Sequence, residues 1–439
     1  MIKNSFYIET YGCASNKADS NIISNMLIDS NYVKTSMNNA QFIIINTCGV
    51  KQQTENKIKR RLKNLHERYK ENLDKYLIIT GCLPHIAGNY VKLIEKIVPS
   101  FGAIIDLNSI HEIPKILNEI SKGKRNLIIN SFQNIDKSQF QIQHAPGKIT
   151  GIIPISEGCL GVCTYCCVKN ARGRLYCFHP ESIIQNIQSQ LKQGLKQIYL
   201  TSQDCSTYEY GGVNLADLIN DIVNLKEKFY LRVGMMNPQF LVEELNQLIS
   251  IFNHDKVYKL FHMPIQSGSD HVLRKMNRTY TINPVIENLK KLKEDIPNLS
   301  FSTDIICGFP GESEDDFNET INLINDIKPD ILNISKFTPR PGTKAKNMEQ
   351  IDSKIIKSRS IKLSQVFRES LLNMNLDWIG WEGEVLVLHS GEKANQVFGR
   401  NIAYKNVFIE DYNGAYGKFI NVKVKNVEGF NLFALMEGK

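Results

Sequence analysis

The sequence predicts an α/β protein built as three consecutive units. These are an open parallel α/β domain over residues 1–125, a partial (β/α)6 TIM-like barrel over 145–377, and a small β-barrel over 378–439. Three observations predict this order. Short apolar runs alternate with helical stretches through the first 120 residues, as in an open sheet. From residue 149 the alternation resumes six times, each strand followed by a polar or Gly-Pro-rich loop. After residue 378 come short strands, several of them separated by Gly-rich turns.

In the first unit the strand candidates are Phe6–Ile8, Phe42–Ile45, Leu77–Ile79 and Ala103–Ile105. Helical stretches near 19–30, 51–70, 88–97 and 110–120 fill the gaps. Cys13 follows the first strand in TYGC, Cys48 the second in NTC, and Cys82 the third in TGC. Loops after the strands of an open parallel sheet lie on one edge, where ligands usually bind. Three thiols distant in sequence therefore converge there. They are either small buried core residues or a three-thiolate cluster site, and the repeated strand-then-Cys placement favours the cluster. Residues 121–148 are polar, contain Pro146-Gly147 and read as a connection, with a strand near Leu127–Ile129.

The barrel strands are expected at 152–156, 197–202, 229–233, 257–262, 300–306 and 331–337. Six units instead of eight leave a flank open, which suits a bulky substrate. The first loop carries Cys159, Cys163 and Cys166 as C-x3-C-x2-C, written CLGVCTYC. Three thiolates on one loop hold three irons of a four-iron cubane and leave the fourth iron open to a small molecule. A structural zinc site would need a closed tetrahedron of four ligands, and no fourth follows at ribbon spacing. A ferredoxin-type run ending in Cys-Pro is also absent. Cys167 adjoins Cys166 and is expected to project away from it.

A basic amphipathic stretch over 353–377 leads into strands at Gly383–Leu388, Val397–Gly399, Val407–Glu410, Phe419–Val424 and Leu432–Met436. Lys+Arg and Asp+Glu number seven each over 379–439, so charge alone does not make this unit a nucleic-acid binder. Across the chain, 42% apolar and 22% charged residues fit a globular protein and exclude a disordered or fibrous one. No run of 18 apolar residues occurs, so no membrane span is expected. Ten cysteines behind an N-terminus without signal-peptide features point to reduced thiols or metal ligands in a cytoplasmic compartment. The net charge of +8 permits a polyanionic partner without requiring one.

Over nearly its whole length the chain resembles the methylthiotransferase branch of the radical S-adenosylmethionine (SAM) superfamily. TYGC, NTC and TGC are similar to that family's N-terminal domain. CLGVCTYC, MPIQSGSDHVLRKMNR and TDIICGFPGESEDDF are similar to its radical domain, and the last sixty residues or so to its C-terminal TRAM barrel. Members act on isopentenyladenosine in tRNA, on an aspartate of a ribosomal protein, or on threonylcarbamoyladenosine in tRNA. Lys169 and Ala171-Arg172-Gly173 match the K-x-A-R-G phrase of the third group, and RVGMMNP resembles its archaeal and eukaryotic members. Cys167 and Cys177 depart from the pattern.

The resemblance implies two 4Fe-4S clusters, one on Cys159, Cys163 and Cys166 and one on Cys13, Cys48 and Cys82. It implies SAM as both radical source and methyl donor, and methylthiolation at C2 of the modified adenine beside the anticodon. Tyr165, Gln203, Gln266 and Asp304 are the expected SAM contacts, each otherwise an ordinary capping or core polar residue. Arg172 and Arg174 are expected at an RNA phosphate or the threonyl carboxylate, unless they form a solvated pair. In the TRAM barrel Arg400, Tyr404, Lys405 and Lys423 are expected to grip the anticodon stem-loop. The basic run Lys57–Arg61, continuing to Lys63, reads more readily as a solvated helix face. An electron-donor protein and a monomeric state complete the expectation. The rival of another class is an iron-sulfur redox sensor that binds RNA without turnover.

Overall fold

The computed structural model describes residues 2–131, 133–240, 245–412 and 414–437. Its first unit is a six-stranded, wholly parallel sheet. The spatial order is Val33–Lys34, Ser5–Thr10, Phe42–Thr47, Tyr76–Gly81, Ala103–Ile105 and Leu127–Ile129. Phe42 and Ile44 enter one core while Ile43 and Ile45 enter the other, so both faces of the strand are buried. A strand covered on both sides reads as an unbroken apolar run, which is how 42–45 appears in sequence. Helices Ala14–Asp29 and Ile113–Ser121 cover one face, and Gln52–Tyr69 and Tyr90–Ile97 the other.

The chain leaves Ser5–Thr10 for the short edge strand at 33–34, then returns to pair Phe42–Thr47 on the opposite side. That reversal of direction opens a crevice at the strands' carboxyl ends. Cys13 and Cys48 both stand at this crevice.

Leu127–Ile129 pairs with Ala103–Ile105 and belongs to the first sheet, beyond the expected limit at 125. The polar segment behind it is not a loose connection either. Ile142 joins the first core, and Lys137 is buried.

The barrel strands are Thr150–Pro154, Gln197–Thr201, Tyr230–Arg232, Leu260–His262, Ser300–Cys307 and Ile331–Lys336. They form two parallel three-stranded sheets, joined by a parallel bridge between Leu231 and Val257. One continuous core spans both, from Ile153 to Leu363. The first and sixth strands do not pair among the described residues, so the arc stays open. Helix Ser353–Leu376 then leads to a closed five-stranded barrel around Val385, Val397, Val407, Val422 and Leu432.

The two flanking units occupy opposite ends of the arc. Tyr230, Tyr258, Leu260 and Ile331, where the barrel strands begin, pack with Leu386, Tyr404 and Phe419 of the C-terminal barrel. The cysteine loop and the N-terminal domain sit where the strands end. Among the described residues no helix is long and apolar enough to cross a membrane.

Candidate functional site

Each cysteine of the first trio lies where its strand ends. Cys13 is the N-cap residue of helix Ala14–Asp29. Gly12 before it has φ +113°, and a Cβ there would stand 2.9 Å from the Cys48 Cβ. At Gly81, φ is +95° and a Cβ would meet the Thr47 carbonyl at 2.3 Å. Both glycines let three backbone turns close together.

The side chain of Asn16 ties the trio together. Its Oδ1 accepts from Cys13 at 3.4 Å, from Cys82 at 3.9 Å and from Arg172 at 3.3 Å. Its Nδ2 donates to the Thr47 carbonyl. Burial pushes the Cys82 thiol up to about 12, against the pull of Arg172, and also raises Cys48. Metal binding to such thiols releases their protons.

The second trio rides on the loop after Thr150–Pro154. Cys159 Sγ accepts from the Gly161 N–H at 3.2 Å, and the Cys163 carbonyl accepts from the Cys166 N–H. A Cβ on Gly161 would lie 3.3 Å from Cys159 Sγ and 3.8 Å from Cys163 Sγ, so a side chain here would crowd two thiols. Lys169 holds the loop tip by donating to the carbonyls of Leu160 and Gly161, both at 3.1 Å. From the other side Thr164 bonds the carbonyls of Lys275 and Met276, Asn277 bonds that of Val162, and Arg278 reaches Cys163 Sγ at 3.6 Å. Burial drives Cys166 up to about 12 and raises Cys159.

Among the described residues no group of three or more His, Cys, Asp or Glu is arranged to hold a single metal ion. Cubane ligands each take a different iron and stand farther apart. Three thiols on one tight, backbone-braced loop with no fourth protein ligand fit a cubane better than a zinc tetrahedron.

The two trios meet along one seam. Cys167 turns away from Cys166 into the N-terminal core, where its Sγ donates to the Gly49 carbonyl at 3.4 Å. Arg340 donates to that same carbonyl at 2.6 Å and pairs with Glu55. A closed ring of four buried charges lies beside them. Arg172 and Lys137 each bridge Asp19 and Glu157, at 2.6–2.9 Å. Burial opposes the charge on Asp19, but Lys137 and Arg172 outweigh it and hold its pKa below the ordinary carboxylate value.

Several expected contacts require correction. Arg172 is 7% exposed, locked in the charge ring, and faces the first trio instead of RNA. Lys405 is equally buried, bound to Asp330 and Asn375. Arg400 donates to the Tyr404 carbonyl and lies 4.2 Å from that ring's centroid. Lys423 pairs with Glu382 at 2.6 Å. Arg172, Arg400 and Lys405 are engaged within the fold, whereas Arg174 is exposed and Lys423 forms a surface pair.

Among the expected SAM contacts, Gln203 accepts from the Gly158 N–H at 2.7 Å and donates to Ser15, which braces the loop against the first helix. Asp304 is bonded to His262 at 2.7 Å. Gln266 adopts φ +76° and bridges Ile305 through its backbone. Tyr165 packs edge-on to Phe309 beneath the loop. Asp204 is a further residue of interest, missed in the sequence although it adjoins Gln203. One oxygen accepts from Ser206 and Asn237, while the other is buried without a partner. Burial raises its pKa, and Arg278 and Cys159 lie within its electrostatic reach.

Comparison with known proteins agrees with this layout. The radical SAM superfamily model matches residues 153–324, and that of uncharacterized protein family UPF0004 matches 5–101. A probable threonylcarbamoyladenosine tRNA methylthiotransferase of Pyrococcus horikoshii is 37% identical over 424 residues, 96% of each chain. A tRNA-2-methylthio-N(6)-dimethylallyladenosine synthase of Dictyoglomus thermophilum is 33% identical over 97% of each. In fold, a radical SAM methyltransferase from Kitasatospora setae aligns with TM-score 0.58 at 12% identity, covering 78% of this chain and 74% of its own.

Proposed function

Because the chain belongs to the radical SAM methylthiotransferase family, we propose that it replaces the C2 hydrogen of N6-threonylcarbamoyladenosine in tRNA, beside the anticodon, with a methylthio group. The observation that carries this reading is the seam at which Cys48-Gly49 meets Cys166-Cys167. An unactivated C–H bond offers no acidic proton, so acid–base groups cannot open it. A four-iron cluster on Cys159, Cys163 and Cys166 would supply an open iron and an electron for SAM, and one on Cys13, Cys48 and Cys82 would supply sulfur.

The protein's own part is to bind, orient and keep dry. Lys169, Thr164, Asn277 and Arg278 fix the loop, so the three thiols keep their mutual placement. The unpartnered Asp204 oxygen would accept from the SAM amine or ribose, and Gln266 and Asp304 would bond other polar groups of it. Tyr165 and Phe309 wall the loop from water. Asn16 accepts from Cys13 and Cys82, and Arg172 offers its guanidinium to Asn16 and Cys82. We further propose a cytoplasmic monomer served by an electron-donor protein.

Cys166→Ala is expected to abolish 5′-deoxyadenosine formation under anaerobic conditions. Cys82→Ala is expected to keep it while losing the methylthio product and about half of roughly eight irons. Nucleoside analysis of tRNA after reaction identifies the substrate. Unmodified threonylcarbamoyladenosine with a methylthiolated dimethylallyladenosine would move the protein to the second reading, which the Dictyoglomus relative favours. Absence of any 5′-deoxyadenosine from the wild type would leave the redox sensor instead.

A further inference from the structure

Two of the cations expected to grip RNA in the C-terminal barrel, Arg400 and Lys405, are engaged within the fold, and a cluster of exposed ones lies on the N-terminal domain. Helices Gln52–Tyr69 and Tyr90–Ile97 flank a surface groove on the N-terminal domain, lined by Lys59, Arg60, Lys63, His66, Glu67 and Lys96. Lys59 is bound to Glu55, and Glu67, the one acid, is paired with Lys70 at 2.9 Å. Arg60, Lys63 and Lys96 are exposed, and none forms an ion pair among the described residues. A merely solvated face would scatter its charges around one helix. Here two helices far apart in sequence turn cations onto one concavity, which concentrates positive potential.

The groove lies on the domain that carries the first trio, along the helix that follows Cys48. Helix Gln52–Tyr69 begins four residues after Cys48. At about 1.5 Å per residue, Arg60 and Lys63 stand roughly 12–17 Å along it from its first residue. That is a suitable span for a nucleic-acid backbone whose unstacked base enters at the cysteine loops.

We propose that this groove is a track for the tRNA phosphate backbone, with Arg60, Lys63 and Lys96 as its contacts. The inference rests on the reading that tRNA is the substrate. Arg60→Gln/Lys63→Gln/Lys96→Gln is to be compared with wild type and with a control, Lys226→Gln/Lys290→Gln/Lys357→Gln, on the barrel's outer helices and loops. The measurement is binding of a threonylcarbamoyladenosine-bearing anticodon stem-loop across a salt series.

Neutralising the groove is expected to raise Kd at least tenfold at 0.15 M salt and to flatten the log Kd–log salt slope by roughly 2–3, since each phosphate contact releases counterions. The control triple and RNA-free SAM cleavage should match wild type. A groove variant with unchanged Kd and slope overturns the proposal. Normal tRNA binding with turnover lost only for a protein reductant, and kept with dithionite, assigns the groove to an acidic protein and also overturns it. A wild type that does not bind tRNA defeats the proposed function itself, and the groove with it.

Discussion

The central barrel carries a neighbour at each end, and the two joints are made of different chemistry. Above, the N-terminal domain is held by buried ions: the Arg172–Asp19–Lys137–Glu157 ring and the Arg340–Glu55 pair. Below, the C-terminal barrel is held chiefly by aromatic faces, with Tyr199, Tyr258 and Tyr404 in contact and Arg232 about 5 Å from two ring centroids, beside the Lys405–Asp330 pair and a more exposed Lys228–Glu384 pair. Ion pairs are directional and fail when one partner moves, whereas apolar faces tolerate slip. The upper joint keeps two thiol loops in register through five buried ion pairs, while the lower one relies mainly on apolar contact.

The comparison breaks most sharply at Arg172. Arg172→Met leaves Asp19 and Glu157 with one cation between them, and is expected to cost about 3–5 kcal/mol. Thermal unfolding reads that loss, and iron per chain should fall at the first trio before the second. Equal loss at both would mean that the ring supports the fold without favouring either loop. Lys405→Met at the lower joint leaves the largely buried Asp330 without its cation but still bonded to the Phe301 N–H, at about 1–3 kcal/mol. Iron content and SAM cleavage should stay at wild-type levels; a fall in either would join the two ends functionally.

Acid sharpens the contrast. Burial opposes ionisation of Asp19 and Glu55, yet their partners hold both folded-state pKa values below the ordinary ones. Their stabilisation is therefore full above the unfolded values of about 4 and is lost as pH falls below them. Limited proteolysis of metal-free protein should thus free the N-terminal domain on acidification before the C-terminal barrel separates. The smallest effect belongs to Tyr404→Phe, which removes the 2.7 Å hydroxyl contact with Tyr199 and should cost about 0.5–1.5 kcal/mol in a denaturant titration.

What the sequence revealed and what it hid follow from the range of the interactions. Strands such as 42–45 and 77–79 were legible because a doubly covered strand has no polar side. The convergence of Cys13, Cys48 and Cys82 followed from parallel topology, which puts successive loops on one edge. The fate of Arg172 was not legible: its partner Asp19 lies 153 residues away, and a locked arginine has the same letter as a free one. Lys405 was hidden in the same way by Asp330, 75 residues distant. Even the K-x-A-R-G phrase acquired its physical meaning only in three dimensions. Lys169 clamps the cysteine loop, Ala171 packs on the N-terminal core, and Arg172 closes the ring.

The tyrosine-lined floor has a corollary for access. With the strand origins capped from beneath, traffic is confined to the upper rim and the unpaired flank beside it. A large guest laid across that rim would leave the flank as the way in and out for anything small beneath it.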